Sequence, residues 1–251
     1  MKTILLVSAS LATLVAAPAL AADLAARPYT KAPVPMMAPL PSWAGFYIGA
    51  NGGADWSRNC WTLNSVAGIP VGPASEGCHS ATSGVVGGQL GYRWQANNWV
   101  FGVEAQGDWT DLKASNASAV APGARNNTKT DAIGLFTGQV GYAWSTVLWY
   151  VKGGAAVTHN KYTGTSALSG NVLDSANDTR WGGTVGTGIE YSFAPGWSVA
   201  AEYDHLFMDR HDVGFPATPA AFARTDSIKQ DVDMATVRVN YRFGSPVIAR
   251  Y

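Results

Sequence analysis

The last regular segment of the chain, residues 232–243, alternates between apolar and polar side chains. Ala235, Val237, Val239, Tyr241 and Phe243 form the apolar set, and Thr236, Arg238, Asn240 and Arg242 form the polar set. A period of two places the two sets on opposite faces of a β-strand. In a membrane such a strand must pair with the first strand of the chain, because an open sheet edge cannot persist in hydrocarbon. The segment therefore predicts the closing strand of a barrel.

Seven earlier segments show the same alternation. They span residues 43–56, 83–94, 99–109, 132–144, 148–159, 180–193 and 197–208. Short turns at 95–98, 145–147 and 194–196 alternate with long polar segments at 57–82, 113–129, 161–179 and 212–229. Short periplasmic turns and long outer loops are typical of outer-membrane barrels. We predict an all-β fold over residues 43–243, an eight-stranded antiparallel transmembrane β-barrel with four long outer loops and three short periplasmic turns.

Aromatic residues mark the turn end of each predicted strand. They are Trp43, Trp94, Trp99, Trp144, Trp149, Phe193, Trp197 and Phe243. One aromatic per strand at one rim predicts an interfacial aromatic girdle. On two strands a second aromatic, Trp109 or Phe207, follows ten residues later on the same face. At about 3.3 Å per residue and a tilt near 40°, ten residues climb about 25 Å, the height of the apolar band.

The two ends of the chain indicate export. Residues 1–21 combine a positive start, an apolar run and a small-x-small ending, which predicts a secretory signal peptide. Residues 22–42 contain five prolines and predict an extended periplasmic leader, and residues 244–251 form a C-terminal tail. No stretch approaches 18 uninterrupted apolar residues, so no helical span is expected. The 17 basic and 17 acidic residues balance, which argues against nucleic acid as a partner.

The polar faces of the predicted strands carry nine charged residues into the barrel. They are Arg93, Lys152, Arg238 and Arg242, with Glu104, Asp108, Glu190, Glu202 and Asp204. An eight-stranded barrel is only wide enough for its own side chains, and an unpaired buried ion costs several kcal/mol. We therefore predict an ion-pair network that plugs the lumen. A narrow ion path is the alternative, because small inward residues leave room for water: Gly45, Gly49, Gly91, Gly186 and Gly188.

The two cysteines, Cys60 and Cys78, lie in the first predicted outer loop of an exported chain. A disulfide between them is expected in an oxidising compartment. The alternative, a metal site with His79, lacks a CxxC spacing and further ligands. No GxSxG, HExxH or phosphate-loop motif accompanies the four histidines, so no catalytic residue and no enzyme activity are predicted.

Both ends of the chain resemble a known family. The sequences ALAAD at the end of the signal peptide, WAGFYIGANGG in the first strand, VRVNYRF in the closing strand and GSPVIARY in the tail carry the resemblance. They are similar to small porin-family, or immunogenic, outer-membrane proteins of alphaproteobacteria, which have OmpA-like eight-stranded barrels. Val239, Tyr241 and Phe243 also resemble the signal by which the barrel-assembly machinery takes up its clients. The chain departs from many such barrels by continuing beyond Phe243.

The resemblance implies an abundant structural and antigenic protein at the surface of a Gram-negative bacterium. Its implied partners are outer-membrane lipid, lipopolysaccharide, the barrel-assembly machinery and periplasmic chaperones. A narrow porin-like diffusion channel and a haem-binding surface protein are the alternative functions. No cofactor is expected from the residues. Haem would need an exposed His or Tyr with apolar neighbours, and His211 with Phe215 and Phe222 is the candidate.

Overall fold

A computed structural model describes residues 42–219 and 221–244, and within them the chain forms eight β-strands. The strands are β1 Gly45–Val66, β2 Ile69–Ala96, β3 Trp99–Ala117, β4 Ala124–Trp144, β5 Val147–Ser166, β6 Val172–Ala194, β7 Trp197–Phe215 and β8 Arg224–Arg242. The predicted signal peptide, nearly all of the predicted leader and residues 245–251 of the tail lie outside the described residues. The described part of the chain has no helix with the length and hydrophobicity needed to cross a membrane.

Each strand pairs antiparallel with the next, and β8 pairs with β1 to close the ring. The closing register runs from Tyr47 opposite Arg242 to Val66 opposite Arg224. Every strand therefore has two neighbours, and no strand edge is left open to hydrocarbon. The predicted eight-stranded antiparallel barrel, closed by the last strand against the first, is confirmed.

Three two-residue connections lie at one end of the barrel, after β2, β4 and β6. Asn97 and Ser145 adopt positive φ angles of 55° and 53°, and Gly196 has a φ of 78°. A reversal this tight needs left-handed backbone, which Gly and Asn adopt at little steric cost. The start of β1 and the end of β8 lie at the same end. In outer-membrane barrels the short turns are periplasmic, and this end is therefore the periplasmic one.

The prediction of four long outer loops is wrong, because most of the residues assigned to these loops continue the strands. The connections at the outer end are only residues 67–68, 118–123, 167–171 and 216–223. The strands are 19 to 28 residues long, about twice the length that crosses a bilayer. Beyond the membrane the outward face of a strand meets water instead of lipid, so outward apolar residues disappear while the backbone ladder continues. The inward face there is mixed and still buries apolar side chains, namely Trp61, Tyr162, Val213, Phe215 and Ile228. The outer half of the barrel therefore projects from the membrane as a continuous sheet.

Aromatic side chains face outward at two heights of the barrel wall. Near the turns, seven of the eight predicted girdle residues are exposed: Trp94, Trp99, Trp144, Trp149, Phe193, Trp197 and Phe243. An upper rim is formed by Trp56, Trp109, Trp181 and Phe207, which are also exposed. The assignment of Trp43 to the girdle is wrong, because its side chain is 0% exposed. Trp43 lies inside the barrel, where its backbone N–H donates to Gln95 at 2.6 Å.

Candidate functional site in the barrel lumen

Four of the nine predicted inward charges form a closed ring of alternating sign, which we call the charge ring: Arg238, Glu104, Lys152 and Glu202. Arg238 donates to Glu104 at 2.6 Å and also to Glu202. On the other side, Lys152 lies 2.6 Å from Glu202 and 3.5 Å from Glu104. All four side chains are fully buried. Each cation therefore touches both anions, which is the arrangement that lets buried charges persist.

Two tyrosines and a glutamine hold the carboxylates of the charge ring in place. The Tyr47 hydroxyl donates to Glu104 at 2.6 Å, and the Tyr150 hydroxyl donates to Glu202 at 2.6 Å. Gln139 in turn donates to the Tyr47 hydroxyl at 2.9 Å. These hydrogen bonds use carboxylate lone pairs that Arg238 and Lys152 leave free, so the buried anions are better satisfied than by ion pairs alone.

Inward glycines make room for these tyrosines. Gly91 stands directly opposite Tyr47 in the β1–β2 register, and Gly188 stands opposite Tyr150 in the β5–β6 register. A side chain at either glycine would collide with the tyrosine ring. The sequence suggested that inward glycines leave space for water, but at these two positions a tyrosine ring fills the space.

The other five predicted charges lie around the charge ring. Arg93 pairs with Glu190 at 2.8 Å and stacks 4.4 Å above the Tyr47 ring, and Asp204 lies 3.3 Å from Lys152. Asp108 accepts a hydrogen bond from Gln106 at 2.8 Å. Arg242 makes no ion pair with any described residue and stands 5.3 Å over the Trp43 ring. The structure thus brings seven of the nine charges into ion pairs and leaves Asp108 and Arg242 outside them.

A second layer of the lumen, which we call the apolar layer, consists of buried hydrophobic side chains. Its members are Ala81, Val85, Leu112, Ile133, Leu135, Ala156, Leu206, Met208, Val232 and Met234. They come from six of the eight strands, and buried carboxyls adjoin them in register: Asp55 and Asp204 are opposite Met234, and Asp108 is opposite Ile133. The apolar layer lies beyond the charge ring toward the outer end. Leu206 follows Glu202 on β7, which runs outward, and Val232 precedes Arg238 on β8, which runs back toward the periplasmic end. A smaller apolar cluster at the periplasmic end contains Trp43, Val100, Ala143, Leu148 and Tyr150.

The outer half of the barrel holds a second buried charge group, which we call the mouth cluster: Glu76, Asp174, Arg224 and Asp226. Arg224 contacts all three carboxylates, at 2.9 Å for Asp174, 2.7 Å for Asp226 and 3.4 Å for Glu76. Burial raises the pKa of Asp226 to about 7, with Arg224 opposing the shift and Glu76 and Asp174 adding to it. Glu76, Asp174 and Arg224 also line an open pocket of about 440 Å³ at the mouth.

The cysteines and histidines of the outer half are engaged with one another or with polar neighbours. Cys60 and Cys78 form a disulfide between paired positions of β1 and β2. The two ring nitrogens of His79 bond to Asn116 at 2.8 Å and Thr128 at 2.9 Å. In the part of the chain that the structure describes, no three His, Cys, Asp or Glu side chains are grouped so as to hold a metal ion.

The predicted haem candidate does not form a single pocket. His211 is exposed and bonds to Asp178 at 2.8 Å, whereas Phe215 is buried against Trp61 inside the barrel. Phe222 is exposed in the connection between β7 and β8. His211 and Phe215 have the same parity on β7, opposite Ile228 and Arg224 of β8. Four residues of strand, about 13 Å, separate them, so His211 lies exposed nearer the membrane while Phe215 packs inside the barrel further out.

Known proteins share this architecture. The family model of the outer membrane protein beta-barrel domain matches residues 7–243. The chain belongs to this outer-membrane β-barrel family. The 31 kDa outer-membrane immunogenic protein of Brucella melitensis biotype 1 is 29% identical over 256 residues, which cover 97% of this chain and 100% of that protein. The 22 kDa outer membrane protein of Rhizobium leguminosarum bv. viciae is 29% identical over 188 residues, covering 74% of this chain and 73% of that protein.

A solved structure gives the same fold for this outer-membrane barrel. The outer membrane protein OprG from Pseudomonas aeruginosa matches it with a TM-score of 0.51 at 13% identity, covering 79% of this chain and 97% of that chain. At this identity the likeness shows the fold alone. Family and relatives together place the barrel in the outer membrane of a Gram-negative cell.

Sequence reasoning missed the apolar layer of this outer-membrane barrel, although a signal was present. In runs such as Ile133–Phe136 or Leu206–Met208, consecutive residues are apolar, so both faces of the strand are apolar there. A strand that faces lipid on one side and shows apolar residues on the other must bury them in its lumen. The mouth cluster gave no such signal, because its residues lie in segments that were assigned to loops.

Proposed function

We propose that this barrel is a non-catalytic structural protein of the outer membrane with a closed lumen, and that it presents its outer half as a surface antigen. The observation that supports closure is the stacking of two filled layers, the charge ring and the apolar layer, along one lumen. An ion that passed the charge ring would still have to enter the apolar layer, where an unpartnered charge costs several kcal/mol.

The surface role draws on the projecting outer half and on a relative. The strands continue well beyond the upper aromatic rim, and large apolar side chains such as Leu168 and Phe222 are exposed at the outer connections. The similar Brucella protein is described as immunogenic. A projecting sheet with exposed apolar tips offers a surface that antibodies or other macromolecules can bind.

The arrangement of the histidines supports a non-catalytic role. A hydrolytic site needs a nucleophile within hydrogen-bond reach of its base. His205 bonds to Asp233 at 2.6 Å, His211 to Asp178 at 2.8 Å and His159 to Thr179 at 3.2 Å. Across the described residues no histidine is hydrogen-bonded to a serine or a cysteine, and the two that contact a threonine, His79 and His159, have no carboxylate bonded to the ring to orient it as a base.

Single-channel recording tests the proposed closure. The mature protein is refolded, its folding is checked by a heat-sensitive gel shift, and it is inserted into a planar bilayer. We expect no reproducible conductance steps from the natural sequence. We expect steps from a variant with Leu135→Gly and Leu206→Gly, because two gaps in the apolar layer would admit water.

The two recordings separate the outcomes. Reproducible steps from the natural sequence would overturn the closed lumen and favour the narrow diffusion channel. A variant that is folded, inserted in the membrane by protease protection and still silent would show that the apolar layer is not what closes the barrel.

A further inference from the structure

Three lysines stand side by side on the outer surface of neighbouring strands, and we call them the lysine row. Lys113 on β3 is directly opposite Lys129 on β4, and Lys129 is directly opposite Lys161 on β5. All three point away from the lumen, and the side chains of Lys113 and Lys129 are 61% and 40% exposed. Like charges directly opposite each other destabilise a sheet, so the row carries a cost that the fold itself does not require.

The pairing is different on the other side of the barrel. Arg58 on β1 stands opposite Asp231 on β8, so a cation there meets an anion in the register. Within the row, Lys113 lies 2.6 Å from Asp111, and Lys129 is paired with Asp131 and lies 3.5 Å from Asp111. Two carboxylates therefore serve three ammonium groups.

Lys161 is the cation left over. It makes no ion pair with any residue in the described ranges, and it is exposed on the same face as the other two lysines. The row thus keeps one uncompensated positive charge and two that are compensated only by exposed carboxylates. Such a group attracts an anion from outside the protein.

The height of the lysine row on the barrel indicates which anion it meets. Trp109 of the upper aromatic rim stands in register with Ala132, and Ala132 stands in register with His159. On its own strand Lys113 lies four residues beyond Trp109, about 10 Å further out along a tilted strand, and Lys161 lies two residues beyond His159 in the same outward direction. Aromatic rims lie at the boundary of the hydrocarbon. The lysines therefore lie where the polar headgroups of the outer leaflet begin.

The surface around the row is an open groove of about 390 Å³. Beyond the lysines, Ser115 and Thr163 line it with hydroxyl groups, and Asn127 lies between them in register. On the membrane side, the apolar band with Trp109 is in contact with acyl chains. A ligand that fits both parts has phosphate groups above and acyl chains below.

We propose that the lysine row binds the phosphate groups of an acylated, phosphorylated glycolipid of the outer leaflet, the lipid A part of lipopolysaccharide. The ammonium groups neutralise the phosphates, the two hydroxyls donate hydrogen bonds to them, and the acyl chains lie along the wall below. The inference concerns the outer wall of the barrel and holds whether or not the lumen conducts.

The test compares lipid A binding by the folded, mature protein and two matched variants in neutral detergent with a chelator. The row variant carries Lys113→Gln, Lys129→Gln and Lys161→Gln. The control variant carries Arg58→Gln, Arg210→Gln and Lys229→Gln, which removes the same charge from outward residues elsewhere on the outer half. The probes are diphosphorylated lipid A, dephosphorylated lipid A and inorganic phosphate, and folding is checked by the heat-sensitive gel shift.

We expect the row variant to bind diphosphorylated lipid A about 10- to 100-fold more weakly than the natural protein. Each lysine near a membrane surface adds to the attraction for anionic headgroups, and the variant loses three of them. The control variant should keep its affinity, and dephosphorylated lipid A should bind the natural protein as weakly as lipid A binds the row variant. Neutralising the competing carboxylates with Asp111→Asn and Asp131→Asn should tighten binding several-fold. Equal affinities in the row and control variants, or equal binding of both lipids, would overturn the proposal. Displacement of lipid A by millimolar inorganic phosphate would do so as well, because the site would then serve free phosphate.

Discussion

The charge ring and the mouth cluster are two buried groups of four charges in one barrel, and their compositions differ. The charge ring pairs two anions with two cations in alternation. The mouth cluster places three carboxylates around the single guanidinium of Arg224. One group is balanced and the other has an excess of two negative charges when all members are ionised.

The difference follows from where each group lies. The charge ring lies at the depth of the hydrocarbon, where a surplus ion finds no water and costs several kcal/mol. The mouth cluster borders an open pocket at the outer end, so water can solvate part of its excess charge. The four members of the charge ring therefore compensate one another, with Asp204 as an additional buried carboxyl beside Lys152, whereas the mouth cluster keeps an excess of acid and can become sensitive to pH.

The largest effect is expected from breaking the balance of the charge ring. The substitution Glu202→Gln removes the anion that contacts Lys152 at 2.6 Å and also pairs with Arg238. Arg238 would then keep Glu104 alone, and Lys152 would keep Glu104 at 3.5 Å and Asp204 at 3.3 Å. We expect a loss of about 3 to 5 kcal/mol in the free energy of unfolding, measured by urea titration in lipid vesicles with tryptophan fluorescence.

An exposed carboxylate provides the control for that measurement. Asp111 also pairs with a lysine, because Lys113 donates to its carboxylate at 2.6 Å, but the Asp111 side chain is 58% exposed. Asp111→Asn is therefore expected to leave the unfolding free energy unchanged, because solvent screens such pairs. If Glu202→Gln were as harmless as this control, the balance of the charge ring would not contribute to stability.

A smaller effect is expected from the glycine that admits Tyr47 to the charge ring. A methyl group at Gly91 would lie 2.6 Å from the Val103 carbonyl oxygen and collide with the Tyr47 ring, so Gly91→Ala should cost about 2 kcal/mol. At Gly107, on the outward face of β3, a methyl group would meet nothing within 4 Å. Gly107→Ala is expected to be neutral in the same urea titration, and equal effects of the two substitutions would contradict the close fit at Gly91.

The membrane half of the barrel could be predicted from the sequence, because lipid on one face forces a visible alternation. Strands such as 99–109 and 197–208 were found in this way, together with the inward position of Glu104 and Glu202. The outer halves could not be found by the same rule. Around Cys60 and Trp61 the outward residues are polar and the lumen is mixed, so neither face stands out.

The sequence also could not predict which inward residues contact each other in the lumen, for a geometric reason. Parity shows that Lys152 and Arg238 point inward, but the tilt and stagger of the strands decide which residues reach the same height. Tyr47 was visible on the polar face of its strand, but its hydrogen bond to Glu104 depends on Gly91 lying opposite. Trp43 was misassigned because its place at the turn end of the first strand was counted and its parity was not: it lies on the same face as inward Tyr47, opposite to outward Phe46.

The smallest effect, and one of opposite sign, is expected from removing an acid from the mouth cluster. The pKa of Asp226 is raised to about 7 in the folded protein, from the usual range near 4. Between pH 4 and pH 7 the folded state therefore binds more protons than the unfolded state, so stability falls as pH rises through this window. Asp226→Asn should remove that dependence. In urea titrations, we expect the free energy of unfolding of the variant to be about 1 kcal/mol higher than that of the natural protein at pH 8. At pH 5 the two values should differ little. A loss of stability at pH 8 would mean that Arg224 needs its third carboxylate, and the mouth cluster would then follow the same rule as the charge ring.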